Sequence, residues 1–160
     1  MSWADAAREG RWADFEGLPD ELDMASLLAG LGRQPSWTER PDVLGDDERT
    51  LAESEGLRCW LDGARVMLAE LSDPASAAAA DPMLAQLGAA DGERPGRPRS
   101  DATVTDYVYA GRGLVLTVAE SYDHPPSFEP FVVTVRLFAP TTLIAYLTEL
   151  GGFERRRSRF

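Results

Sequence analysis

The feature that most constrains this chain is residues 131–152, FVVTVRLFAPTTLIAYLTELGG. An alternating, β-branched run reads as a strand. Pro140 stops it, and a short amphipathic helix is predicted from Thr141 or Thr142. Residues 66–88, VMLAELSDPASAAAADPMLAQLG, make the same move: an apolar run, Pro74, then a helix closing on Leu87-Gly88. A strand–proline–helix unit that occurs twice says more about architecture than any single residue does.

Size and charge narrow the classes. A chain of 160 residues, 44% hydrophobic, fits one domain or two small modules sharing a core. Its formal charge of −11 argues against nucleic acid, because phosphate contacts need clustered cations, and favours solubility and at most a basic partner. Cys59 is the single cysteine, so an intramolecular disulfide and a cysteine-based zinc site are excluded. The opening MSWADAAREGRW has no apolar run of signal length, and no stretch approaches the roughly 18 apolar residues of a membrane span. The expectation is a cytoplasmic chain without membrane contact.

Taken in order, residues 2–15 read as a short helix capped by Ser2, anchored by Trp3, Trp12 and Phe15 and broken at Gly10. Residues 23–32 are a better helix, with Asp23 as cap, Leu27, Leu28 and Leu31 on one face and Gly32 as stop. Pro35, Pro41 and the acidic Asp46, Asp47 and Glu48 read as loop. Propensity alone makes 49–71 helical, but Asp62-Gly63 between apolar runs is a hairpin signal, and strands are predicted. Asp81-Pro82 opens a helix, with Asp81 as its cap. Residues 92–100 read as a flexible loop. Strands follow at 103–109, 114–119 and 131–138, with Gly111-Arg112-Gly113 as a turn and 120–130 as a long hairpin loop.

The echo extends along the chain. LLAGLG at 27–32 matches MLAQLG at 83–88, Glu55-Gly56-Leu57 matches Arg112-Gly113-Leu114, and Leu71-Ser72-Asp73-Pro74 matches Leu137-Phe138-Ala139-Pro140, all in the same order. The expected fold is α+β: two tandem units of a helix and a three-stranded antiparallel meander, joined in one two-layer α/β sandwich with an open sheet face. The expected divisions are an N-terminal aromatic segment (1–19), a first repeat (20–74), a second repeat with the C-terminal helix (75–152) and a basic tail (153–160). Aligned alternation turns Leu57, Cys59, Leu61, Met67, Ala69 and Leu71 toward the helices, with Leu114, Leu116, Val118, Val133, Val135 and Leu137. The opposite face then carries Arg58, Trp60, Leu68 and Glu70, matched by Val115, Thr117, Thr134 and Arg136. Tyr107 and Tyr109 share a face, either one, and join the open face if Val108 turns inward. An open face rich in Trp, Tyr and Arg has the composition of a protein-binding surface. It equally suits a face covered by the N-terminal segment or by a second copy.

A helix ending Leu-Gly, a loop, then a meander with Tyr107-Val108-Tyr109 and Arg112-Gly113-Leu114 resembles the β-lactamase-inhibitor-protein-like module over residues 23–152. The resemblance implies two units forming one concave surface that grips a partner, with hairpin loops inserting an acidic and an aromatic side chain. By position these are Asp62 and Phe128. The inhibitor's disulfides and signal peptide and the lipidated cysteine of related lipoproteins have no counterpart here, so the resemblance bears on fold and binding style and not on β-lactamase.

Catalytic readings are weaker. His124 with Asp123 and Glu129 would make a poor metal site, and a loop histidine beside prolines is ordinarily solvated. Cys59 is predicted in the core, away from His124. Ser121-Tyr122-Asp123-His124 has the letters of a triad but not its convergence from separate segments. Asp46, Asp47 and Glu48 read as a solvated acidic run, and Gly111-Arg112-Gly113 lacks the spacing of a phosphate loop. The expectation is a non-catalytic protein-binding module, an inhibitor, immunity or accessory protein, with no cofactor and no metal. Its binding residues would be Arg58, Trp60, Asp62, Glu70, Tyr107, Tyr109, Phe128 and Arg136. The alternatives are a homodimer through the open face and a small biosynthetic enzyme.

Overall fold

Alternation prevails over helix propensity across residues 50–71, because a strand there buries every second side chain against helices that precede it. The computed structural model describes residues 1–42, 49–72, 79–96 and 99–151. Its strands are β1 (Thr38–Pro41), β2 (Thr50–Ser54), β3 (Leu57–Asp62), β4 (Arg65–Leu71), β5 (Gly92–Pro95), β6 (Ala102–Tyr109), β7 (Leu114–Ser121) and β8 (Phe131–Leu137). They form one eight-stranded sheet, every neighbouring pair antiparallel, in the order β1-β2-β3-β4-β8-β7-β6-β5. The fold is α+β. The expected Asp62-Gly63 hairpin is present, with Asp62 opposite Arg65 and Gly63 at φ 61°.

The helices are α1 (Trp3–Glu9), α2 (Met24–Gly30), α3 (Ala80–Leu87) and α4 (Leu143–Ala145). Ser2 Oγ accepts from the Asp5 amide at α1, and Gly10 at φ 67° ends it, as the sequence predicts. Asp23 accepts from the Ser26 amide at 2.7 Å and caps α2. At α3 the expectation fails in detail. The helix starts two residues earlier, Ala79 holds the cap position without a side-chain bond, and Asp81 lies in the first turn, where its charge still suits the helix dipole. α4 continues into a single π turn (Tyr146–Leu150), whose Gly151 amide donates to Tyr146 O at 2.7 Å.

Two short strands lie where loops are expected. β1 and β5 are the sheet's outer edges, and each ends in proline. Proline suits an edge because its missing N–H faces away from the ladder, so the proline content that reads as loop marks an edge strand instead. The expected three strands per unit thus become four hydrogen-bonded strands on either side of the β4–β8 seam.

One sheet face carries the larger core. Leu57, Cys59, Leu61, Ala69, Leu71, Leu114, Leu116, Val118, Val135 and Leu137 pack there with Trp12, Phe15, Leu27, Leu28, Met83 and Leu87. Met67 and Val133 do not join them. In the β3–β4 ladder Trp60 opposes Leu68 while Leu61 opposes Val66, which leaves Met67 as the extra residue of a bulge. Val133 is likewise extra between Thr134 and Val132. Val66 and Val132 take the inward places instead.

The second face is not open where Trp60 sits. Leu51, Trp60, Leu68, Val108, Val115 and Phe138 form a second cluster with Tyr146 and Leu150 of the C-terminal helical segment. Strand parity explains the route: Leu137 ends β8 on the first face, so Phe138 lies on the second, and its ring stacks on Tyr146 at 4.8 Å. The last helical segment therefore packs on the side opposite α2 and α3. Residues 46–48, Pro74 and the basic tail 153–160 lie outside the described residues.

Candidate interaction surface

Across the second face the strands carry charges of alternating sign. Arg40 on β1 reaches Glu53 on β2 at 3.3 Å, and Arg58 on β3 reaches the same carboxylate at 3.6 Å. Glu70 on β4 opposes Arg136 on β8, whose Nε donates to Glu70 Oε2 at 3.2 Å. Arg136 also meets Asp106 on β6 at 3.2 Å, and Arg94 on β5 meets the same aspartate at 3.0 Å. Thr117 Oγ1 donates to the other Asp106 oxygen at 2.7 Å. Arg94 donates to Gly151 O at 3.2 Å and to the Tyr146 hydroxyl at 3.4 Å, with its guanidinium 5.6 Å from the centre of that ring. The ladder is solvated at the β1–β3 end and buried at the β5–β8 end.

That burial corrects part of the expected binding set. Trp60 is 1% exposed and Arg136 7% exposed, because the face that was to be open holds its own apolar cluster under α4 and the π turn. Glu70 is spent on Arg136. Tyr107 and Tyr109 lie on the first face, since Val108 packs in the second cluster. Tyr109 is buried and donates to Gly88 O at 3.1 Å. Burial raises the pKa of both phenols, helped by Glu120 and Glu93 at Tyr107 and by Tyr107 and then Glu93 at Tyr109. Arg58 and Asp62 are exposed as expected, with Asp62 paired to Arg65 at 3.7 Å. Phe128 is half-buried and packs edge-on to Phe131 at 5.6 Å, beside Ala102, Val104, Ala119 and Val133. Because β4 and β8 are antiparallel neighbours, the hairpin entering β4 and the loop entering β8 leave the sheet at opposite ends. Asp62 and Phe128 are not brought together.

The connection from β7 to β8, residues 122–130, is a long irregular loop. Ser121 Oγ accepts from the amides of Asp123 at 3.1 Å and Ser127 at 3.0 Å, and pairs with Ser127 Oγ at 3.0 Å. One hydroxyl thus ties both sides of the loop neck. Phe128 anchors the returning strand, and the Tyr122 hydroxyl donates to Arg99 O at 3.4 Å. Tyr122, at the start of the loop directly after Ser121, is 53% exposed, and Asp123, His124, Pro125 and Pro126 are exposed beyond it. Sequence reasoning placed the loop but passed over Tyr122, which figured only among the letters of a triad. An aromatic residue between polar ones, in a loop with a serine at its neck, was the available signal.

Cys59 lies in the first-face core, where burial pushes its thiol up to about 12, whereas His124 is on the exposed loop. Among the described residues no three His, Cys, Asp or Glu side chains gather where they could hold a metal ion, and no helix is long and apolar enough to cross a membrane. Two concavities stand out among the described residues. One, of 840 Å³, runs past Arg33, Trp37, Glu53 and Glu55; Arg33 donates to Glu55 O within it, and Trp37 Nε1 donates to the neighbouring Glu39. The other, of 330 Å³, lies between β5 and α4. Comparison with family models, curated proteins and solved structures finds no match.

Proposed function

We propose that this chain is a non-catalytic protein-binding module built from two tandem α/β units, and that the β7–β8 loop is the element that engages the partner. The observation that carries the reading is the tied loop with a large, exposed aromatic side chain, Tyr122, beside its neck. An interface loop that is already ordered loses little entropy on binding, and tyrosine supplies wide contact with few rotamers to freeze. Phe128 contributes from below, as the anchor that sets the loop's angle, and not as an inserted side chain.

The tandem reading, and with it the likeness to β-lactamase-inhibitor-protein-like modules, is supported by correspondences no short sequence match contains. Glu39-Arg40-Pro41 closes one sheet edge and Glu93-Arg94-Pro95 the other. The bulge residues Met67 and Val133 correspond under the same alignment. Asp23, before α2, bridges to Arg65 at the start of β4, and Ala79, before α3, bridges to Phe131 at the start of β8. Glu70 and Arg136, equivalent in the two halves, pair with each other, as residues on a local two-fold axis must.

The test is co-purification of the tagged full chain from the cell that encodes it. A stoichiometric protein partner is expected, retained by Asp62→Ala and lost with Tyr122→Ala. No partner, or one indifferent to Tyr122→Ala, overturns the reading.

A further inference from the structure

The two sheet edges share a Glu-Arg-Pro triplet, and α4 lies beside the β5 edge. On β5, Gly96 N donates to Val104 O at 2.8 Å, which fixes the hydrogen-bonding parity. Gly92 and Arg94, opposite Val108 and Asp106, turn their backbone groups to β6, and Glu93 turns its N–H and C=O away. Pro95 shares Glu93's parity and offers a carbonyl alone. The outer edge therefore has one complete donor–acceptor pair. Next to it runs the 330 Å³ groove, walled by Leu143 and Leu147 and floored by Val108. Leu147 is 43% exposed and Ile144, one position along from Leu143, is 75% exposed.

The charge on the first-face side of this edge is mainly acidic, with Arg112 the cation near Tyr109, while Arg94, which lines the groove on the other face, is engaged by Asp106. Glu93 is exposed and opposite Tyr107, so its side chain lies on the first face. The fields of Glu93, Asp81, Asp91 and Glu120 all act on Tyr107 or Tyr109 there. A second copy adding antiparallel at the same point would set Glu93 against its own equivalent, a like-charge pair that weakens a sheet. Strand alternation then specifies the complementary pattern. A residue opposite Glu93 points to the acidic first face, and its two neighbours point into the apolar groove under α4.

We propose that the outer edge of β5 and the groove beside α4 form a second docking site, which takes an extended segment of a partner protein with a basic residue between two aliphatic ones. The segment adds as a ninth strand through the backbone of Glu93, its Arg or Lys meets the Glu93 carboxylate, and its aliphatic side chains pack on Leu147 and Leu143. Pro95 limits the pairing to this short register and keeps the edge from general strand addition. The site uses no residue of the β7–β8 loop, so it stands or falls apart from the loop's role.

A random-peptide library selected on the immobilised full chain tests it. The expected consensus is aliphatic–basic–aliphatic. Glu93→Lys, at an exposed position, should weaken the selected peptides by about tenfold or more, since it reverses the charge opposite their basic residue. Leu147→Asp should do the same, and Glu39→Lys at the other edge should change nothing. A consensus without a basic residue, binding that survives Glu93→Lys and Leu147→Asp, failure to select any peptide, or a dimer in sedimentation that Ile144→Asp dissolves would each overturn the proposal.

Discussion

Arg136 holds two carboxylates in a buried setting, and that makes it the residue whose loss should be felt most among the charged side chains. Arg136→Met takes the guanidinium from two buried carboxylates, Glu70 and Asp106, and is expected to cost about 3–5 kcal/mol in urea denaturation. Arg58→Met, in the solvated part of the same ladder, should stay within about 1 kcal/mol. Gly113 is at φ 64°, and a Cβ there would overlap the Phe138 carbonyl oxygen and crowd Gly17, so Gly113→Ala should cost about 2–4 kcal/mol by the same measurement. Cys59 gives a pH dependence. Its thiol is raised in the folded chain to about 12 from an ordinary 9.0, so between these values the unfolded chain has released a proton that the folded chain retains. Stability is intact below pH 9 and falls as pH rises toward 12, by up to about 1.4 kcal/mol per pH unit. Cys59→Ala should flatten that decline, and the native thiol should resist alkylation at pH 8.

At the scale of elements, the loop neck and the C-terminal helical segment are separable. Ser121→Ala removes the acceptor for the Asp123 and Ser127 amides; hydrogen exchange at both should speed up while global stability changes by about 1 kcal/mol or less. Tyr146→Ala removes the stack on Phe138 and a partner of Arg94, and should cost about 3–5 kcal/mol in denaturation. Strands β2, β3, β4, β6, β7 and β8 were legible because their alternation is a local pattern. The bulges at Met67 and Val133 were not, since one extra residue reverses the facing of a strand's end without altering composition. Edge strands β1 and β5 were hidden by their own prolines. The covered second face was hidden because the sense in which the chain turns after Phe138 depends on a tertiary contact with Tyr146 that no local pattern encodes. That contact is also why Trp60 and Arg136, correctly placed on one face, were wrongly expected to be exposed.

For the whole molecule, charge and exposure set the terms of binding. The chain carries −11, its sheet faces are largely occupied by its own elements, and its exposed large apolar side chains among the described residues are Met1, Tyr122, Ile144 and Leu147. On the proposed binding role, a partner is met at loops and edges, and an acidic surface steers basic partners to it. The central claim is that the β7–β8 loop makes that contact. The most direct measurement places a photo-crosslinking amino acid at position 122 in the living cell, with position 40 on β1 as the comparison. The account predicts one dominant protein adduct from position 122 and none of that mass from position 40. Equal labelling from both positions, or adducts of the chain with itself alone, would contradict it.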